Sequence, residues 1–173
     1  TSRWQASEGP EVIYRDGYYY LFLAYGSLSV EYNTRVCRSK NIDGPYVDIH
    51  GNSAMGSAQL YPILTAPYRF DNSYGWVGIS HCGIFDDGAG NWFYTSQGRF
   101  PVNVGGNEYS NAIMMGHVRS IRWDANGWPL VMPERYGAVP QAPITENEIA
   151  GDWEHLALTT STGTQRTSET MTY

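Results

Sequence analysis

The chain has 173 residues and a net charge of −6, with 11 Lys and Arg, 19 glycines, 14 tyrosines and 6 tryptophans. That length holds one domain with a sizeable core, or one domain and the start of another. The acidic balance excludes the basic stripe that nucleic acid requires and disfavours an anionic membrane surface, and no apolar run approaches a membrane span. Many aromatics, many glycines and little charge fit a β-rich protein with tight turns. They equally fit a sugar binder, whose flat rings stack on pyranose or furanose faces; the simpler alternative is that the rings fill a β core. Cys37 and Cys82 could pair in a secreted protein, or lie free as small buried hydrophobes, the favoured alternative. Few lysines, few thiols and many Ser, Thr and Asn point toward an extracellular home.

Thr1 to Ser7 carries no initiator Met or signal peptide and reads as an interior passage, so a piece of a longer protein is expected. Glu8-Gly9-Pro10 is a loop bearing one carboxylate. It leads into a hairpin whose Asp16-Gly17 turn separates Val12 to Arg15 from the aromatic strand Tyr18 to Tyr25. A loop carboxylate on such a rigid support is a natural catalytic position, although most such groups are only solvated charges. Gly26 to Asn33 reads as a polar loop, Thr34 to Ser39 as a strand, and Asp43-Gly44-Pro45-Tyr46 as a turn followed by an extended Val47 to Ile49. Residues 50 to 75 show no period and are expected to form a long surface connection with one short strand at Leu60 to Leu64.

A second hairpin joins Gly83-Ile84-Phe85 to Trp92 through Ser96 across an Asp/Gly turn. After a loop from Gly98 to Tyr109 comes an apolar strand, Ala112 to Val118. A third hairpin pairs Ser120 to Trp123 with Trp128 to Val131 across Asp124-Ala125-Asn126-Gly127. Three repeats of strand, Asp/Asn/Gly turn and aromatic strand point to an all-β meander of the β-propeller kind, with a sandwich, which usually lacks this repeated pattern, as the alternative. Pro133 to Pro143 reads as a linker. Glu148 to Leu158 suggests a turn and a strand, and Thr159 to Thr172 either the outer face of a barrel or a flexible tail. A second small β domain is expected to begin near Gln141, dividing the chain into residues 1–138 and 139–173.

Several stretches, taken in order, resemble glycoside hydrolase family 43, and within it the extracellular endo-acting α-1,5-arabinanases with a C-terminal β domain. They are Glu8-Gly9-Pro10 with Arg15 to Phe22, then Tyr32-Asn33-Thr34-Arg35-Val36, and Arg38-Ser39-Lys40 with Gly44-Pro45-Tyr46. Gly78 to Gly83 around His81, Gly98-Arg99-Phe100-Pro101, and Asn126-Gly127-Trp128-Pro129 with Arg135-Tyr136 complete the set. The resemblance implies a five-bladed propeller, of which residues 1–138 would form the last blades, followed by the start of a small β-barrel or sandwich. It also implies an inverting glycosidase in which Glu8 is the general acid, and in which the general base and a second Asp belong to earlier blades absent from these residues. His81 matches a His that helps hold calcium or another metal on the propeller axis, partly through waters. Arabinan, or an exo-acted arabinofuranoside or β-xyloside, would be the substrate, and the N-terminal part of the same protein would be a partner. Four positions depart from the family pattern: Ser80 and Cys82 flank His81 where Gly and Asn are usual, Gln97 replaces a His, and Glu11 replaces an aromatic residue.

An inverting hydrolase needs one protonated carboxyl and one ionised carboxylate about 6.5–9.5 Å apart, with water between the second and the sugar. Glu8 can fill only the first role. Asp86 and Asp87 read as turn residues and Asp71 as a loop charge, so none replaces the missing base. His81, among small and apolar neighbours, reads either as a hydrogen-bonded core residue or as a contributor to a calcium shell otherwise made of oxygen. Arg99, Asn33 and Tyr25 are candidate substrate contacts. Arg35 could orient carboxylates or hydroxyls, or merely stiffen the fold. Trp4, Tyr25 and Trp76 are candidate stacking platforms.

Overall fold

Two four-stranded antiparallel meanders, each the size of a propeller blade, pack face to face. The structure, a computed structural model, describes residues 7–56, 60–138, 142–159 and 163–173. The first sheet runs β1 (Glu8–Arg15), β2 (Tyr18–Tyr25), β3 (Asn33–Ser39) and β4 (Ile63–Thr65) in that order. A two-residue strand, β5 (Tyr68–Arg69), leads to the second sheet: β6 (Val77–Asp86), β7 (Trp92–Arg99), β8 (Met114–Trp123) and β9 (Pro129–Val131). A helix α1 (Glu146–Ile149) and strands β10 (Asp152–His155), β11 (Arg166–Thr167) and β12 (Glu169–Thr172) follow. Among the described residues no helix is long and apolar enough to cross a membrane.

Alternation in β2 and β3 sends Tyr20, Phe22 and Val36 toward the second sheet, where they meet Ile79, Ile84, Tyr94 and Ile121 in one core. Each such fully buried side chain contributes about 1.5–3 kcal/mol. The Thr34, Ser80, Tyr94 and Thr65 hydroxyls within this core are paired. The Thr34 hydroxyl lies 2.8 Å from that of Ser80 and 2.7 Å from that of Tyr94, and Thr65 donates to the Ile79 carbonyl at 2.6 Å. The third hairpin is clamped to the first sheet at its turn. Tyr20 donates to the Gly127 carbonyl at 2.6 Å, and Arg38 donates to Asn126 at 2.8 Å with its guanidinium 4.2 Å from the Trp128 ring. The long-range role of the Asn126-Gly127-Trp128-Pro129 stretch is therefore to join the sheets.

The three hairpins lie where their turn residues place them. Asp87 accepts from Ala89 and Asn91, and Asp124 from Asn126 and Trp128, as turn carboxylates do. Elsewhere the structure corrects the reading from sequence. The short strand expected at Leu60 to Leu64 forms at Ile63–Thr65 and completes the first sheet, but residues 60–69 are not a surface connection, since Leu60, Leu64 and Tyr68 are buried. Asp48 makes this possible by gathering the loop. It is buried and accepts from the backbone of His50, Asn52 and Tyr61 at 2.9, 2.8 and 3.2 Å. Burial alone would push its carboxyl up, but the Asn52 side-chain amide, which donates to it at 3.1 Å, and these backbone bonds outweigh it and hold it below the usual range. Asp48→Ala orphans four donors, these three backbone groups and the Asn52 side-chain amide, and is expected to cost about 2–4 kcal/mol, read as a lower urea midpoint.

The strand expected at Ala112 to Val118 and the first arm of the third hairpin form one ten-residue strand, β8, preceded by a 3-10 turn at Ser110–Ala112. Likewise β6 starts at Val77 rather than Gly83. Residues 133–138 are less linker than strap, since Tyr136 donates its backbone N–H to Val118. The expected boundary at 138/139 and the start near Gln141 adjoin or fall on residues outside the described ones. Beyond them, Thr145 and Glu148 form a capping box that starts α1, a helix the turn-and-strand reading missed. The Thr-rich end pairs rather than hanging free: β12 with β10, and β11 in parallel with β5. Cys37 and Cys82 are unpaired and buried, and burial pushes both thiols up to about 12, which leaves them inert.

Candidate active site

Glu8 opens β1 opposite Ala24, and the ladder is irregular between it and Glu11 because Gly9 sits at φ +54°. That glycine does two things. It adopts a backbone conformation that side chains resist, and it leaves space for an imidazole: a Cβ there would stand 3.1–3.2 Å from the His81 ring. His81 comes from the facing sheet, where β6 slips by one residue twice, between Val77 and Ser80 and between Ser80 and Gly83. His81 itself lies at φ +59°, a rare conformation for a residue with a side chain. Bulges re-aim side chains, and strained backbone concentrates at functional sites. Here the bulge turns His81 out of the core, so its side chain is 59% exposed, beside a Glu8 side chain that is 60% exposed.

Tyr32 joins the two. It is 1% exposed. Its hydroxyl donates to Glu8 Oε1 and stands 3.1 Å from His81 Nδ1, while Nδ1 and Oε1 are 3.9 Å apart. Burial first, then the Glu8 carboxylate, push the Tyr32 phenol well above its usual range, so it stays a hydrogen-bond donor at any working pH. No pattern local to position 32 announces this role. The contact spans 24 residues to Glu8 and 49 to His81.

The other expected site residues lie apart from this trio. Asn33 and Arg35 alternate with Thr34 and Val36, so they occupy the face of the first sheet turned away from the second. Asn33 is 1% exposed, and its amide nitrogen donates to the carbonyls of Tyr25 and Glu31 at 3.1 and 2.8 Å. Its oxygen accepts from Arg35 Nε at 3.0 Å, and that guanidinium lies 4.7 Å from the Tyr25 ring. In this structure, then, Asn33 is a brace for Tyr25 and Arg35, since further chain could only bury it more. Tyr25, at 7% exposure, packs within the same cluster. Arg99 ends β7, opposite Val77, and donates to the Asn111 carbonyl at 3.0 Å. Trp76 stacks on Phe100 at 4.6 Å with the His117 edge 4.1 Å away, which engages the ring in packing. Trp4 lies outside the described residues.

His117 and Arg119 form a buried cluster that sequence reading passed over. Arg119 is 1% exposed, donates to the Tyr68 hydroxyl at 2.8 Å and to the Pro133 carbonyl, and reaches His117 Nδ1 at 3.2 Å. Burial first, then the Arg119 and Arg135 charges, pull His117 down from 6.5 to about 4. As pH falls, the unfolded chain takes the proton first. Stability is therefore full above pH 6.5 and falls toward pH 4, by up to about 3 kcal/mol. His117→Gln is expected to flatten that decline when urea midpoints are compared at neutral and acid pH. Equal declines in parent and variant would contradict it.

Calcium takes six to eight oxygen ligands. Among the described residues no group of three or more His, Cys, Asp or Glu is gathered for a metal. One imidazole beside one carboxylate that already accepts from Tyr32 does not make a calcium shell.

With this geometry in view, comparisons with known proteins are specific. The profile of glycosyl hydrolases family 43 matches residues 1–129. The chain is 30% identical over 169 residues to extracellular endo-α-(1→5)-L-arabinanase 2 of Bacillus subtilis strain 168, covering 85% of this chain and 34% of the relative. It is 31% identical over 168 residues to the extracellular endo-α-(1→5)-L-arabinanase of Thermotoga petrophila, covering 86% and 34%. The crystal structure of endo-1,5-α-L-arabinanase from Thermotoga petrophila RKU-1 superposes with a TM-score of 0.79 at 25% identity, over 96% of this chain and 40% of that one. The chain thus spans about a third of the length of these curated relatives.

Proposed function

The chain belongs to glycosyl hydrolases family 43, and on that premise we propose that it supplies the proton-donating half of an inverting hydrolase of α-1,5-linked L-arabinan. The observation that carries this reading is the Glu8 carboxylate, in the Glu-Gly-Pro position, standing exposed at a strand end and joined through the Tyr32 hydroxyl to the out-turned His81. In the reaction, the Glu8 proton passes to the glycosidic oxygen as its bond to the anomeric carbon breaks. A water adds to that carbon from the opposite face, and a second carboxylate takes the water's proton.

That second carboxylate would come from chain beyond these residues. Asp86, Asp87 and Asp124 are engaged in turns, and Asp71 accepts from its neighbour Asn72. An acid working near neutrality also needs apolar cover or neighbouring negative charge, which further chain and the bound substrate would bring. The outer sheet faces support such a completion: Val12 and Tyr14 on β1, Phe85 on β6 and Met114 on β8 are all exposed apolar side chains. The N-terminal part of the same protein would cover them as the remaining propeller blades. Calcium at His81 would likewise draw most of its oxygen ligands from that part. Secretion accords with the extracellular relatives.

The test is product analysis with the intact protein on linear arabinan. Endo action predicts a ladder of arabino-oligosaccharides, inverted at the new anomeric centre when followed by proton NMR. Release of arabinose alone would replace this reading with exo action, and no release would overturn it.

A further inference from the structure

We infer that Tyr32 is a positioning residue that dictates which oxygen of Glu8 carries the reactive proton and which nitrogen of His81 carries its own. The inference rests on the proposed function for its catalytic half only. The Tyr32 hydroxyl has one hydrogen, and it goes to Glu8 Oε1. With Oε1 accepting, a proton on the carboxyl resides on Oε2, the oxygen left to meet a leaving group. His81 Nδ1 stands 3.1 Å from the same hydroxyl, whose hydrogen is already committed, so Nδ1 must be the donor.

The line of bonds therefore runs from His81 Nδ1–H to Tyr32 Oη–H to Glu8 Oε1, and Nε2 is the ring atom with a bare lone pair. Tyr32 can hold this direction because its phenol does not ionise at working pH and because it is packed at 1% exposure. Gly9 holds the other end, leaving its missing side chain's space to the imidazole. A tyrosine placed this way acts on the reaction through Glu8 and not by touching the substrate.

Two measurements on the intact protein test it. In protein labelled with nitrogen-15 histidine, the neutral His81 ring is expected to carry its proton on Nδ1, and Tyr32→Phe to shift it toward the Nε2–H form. The parent spectrum alone decides the tautomer, whether or not the variant folds. In kinetics on linear arabinan, Tyr32→Phe is expected to lower kcat about 10- to 100-fold with little change in KM, and to cost almost nothing further in a Glu8→Gln background. An Nε2–H tautomer in the parent, or an equal penalty for Tyr32→Phe with and without Glu8, would overturn the inference. A parent that lacks activity on arabinan yet shows the Nδ1–H tautomer would instead overturn the proposed function, and with it the Oε2 assignment.

Discussion

Replacing Glu8 with Gln in the intact protein is expected to lower kcat on linear α-1,5-arabinan by about 10²–10⁴-fold while KM stays within a small factor. The reasoning is one of proton supply. A sugar alkoxide is a poor leaving group, so bond cleavage without protonation is slow. An amide keeps the shape and can still accept from Tyr32, yet has no acidic proton to give. Binding should survive, because a neutral amide in that place makes nearly the same contacts as the protonated acid. Initial rates over a range of arabinan concentrations check both halves. Turnover within a few-fold of the parent would remove Glu8 from the mechanism.

The second large effect is on stability. Arg119→Ala is expected to cost about 3–5 kcal/mol, because it strips the donors from several buried acceptors at once. The Tyr68 hydroxyl, the Met132 and Pro133 carbonyls and His117 Nδ1 all face this one guanidinium. Together they tie the strap after β9 to β5 and β8, which makes Arg119 the pin between the second sheet and the connection from the first. Thermal melts should fall by roughly 10 °C for a chain of this size. A shift of only a degree or two would mean that the strap holds without it.

Much of this organisation is legible from residues alone, and the parts that are not share a cause. The hairpins at Asp16-Gly17, Asp86 to Asn91 and Asp124 to Gly127 are written in local chemistry: turn residues that tolerate positive φ, between runs of β-forming side chains. Glu8 is legible because its motif is shared across a family, although the loop expected at Glu8-Gly9-Pro10 is instead the irregular start of β1, where Gly9 breaks the ladder. By contrast, a short strand is expected near Leu60 to Leu64 and forms at Ile63–Thr65, but its burial and its place in the first sheet are not legible, because they depend on Asp48 folding the preceding loop. The bulges that expose His81 depend on how β6 meets β7, so a His among apolar neighbours reads equally well as a core residue. Tyr32 and Arg119 act over separations of 24 to 51 residues, which only the packed sheets bring together. Asn33 shows the reverse case: a motif residue that suggests a ligand contact and in the fold is buried as a brace.

The central claim is that Glu8 is the proton donor. The most direct measurement compares Glu8→Ala with the parent on two substrates in the intact protein: linear arabinan, whose leaving sugar must be protonated, and a dinitrophenyl arabino-oligosaccharide, whose phenolate leaves unaided. If Glu8 gives the proton, the variant loses turnover on arabinan and keeps nearly parental rates on the dinitrophenyl glycoside. Equal losses on both substrates would contradict that assignment.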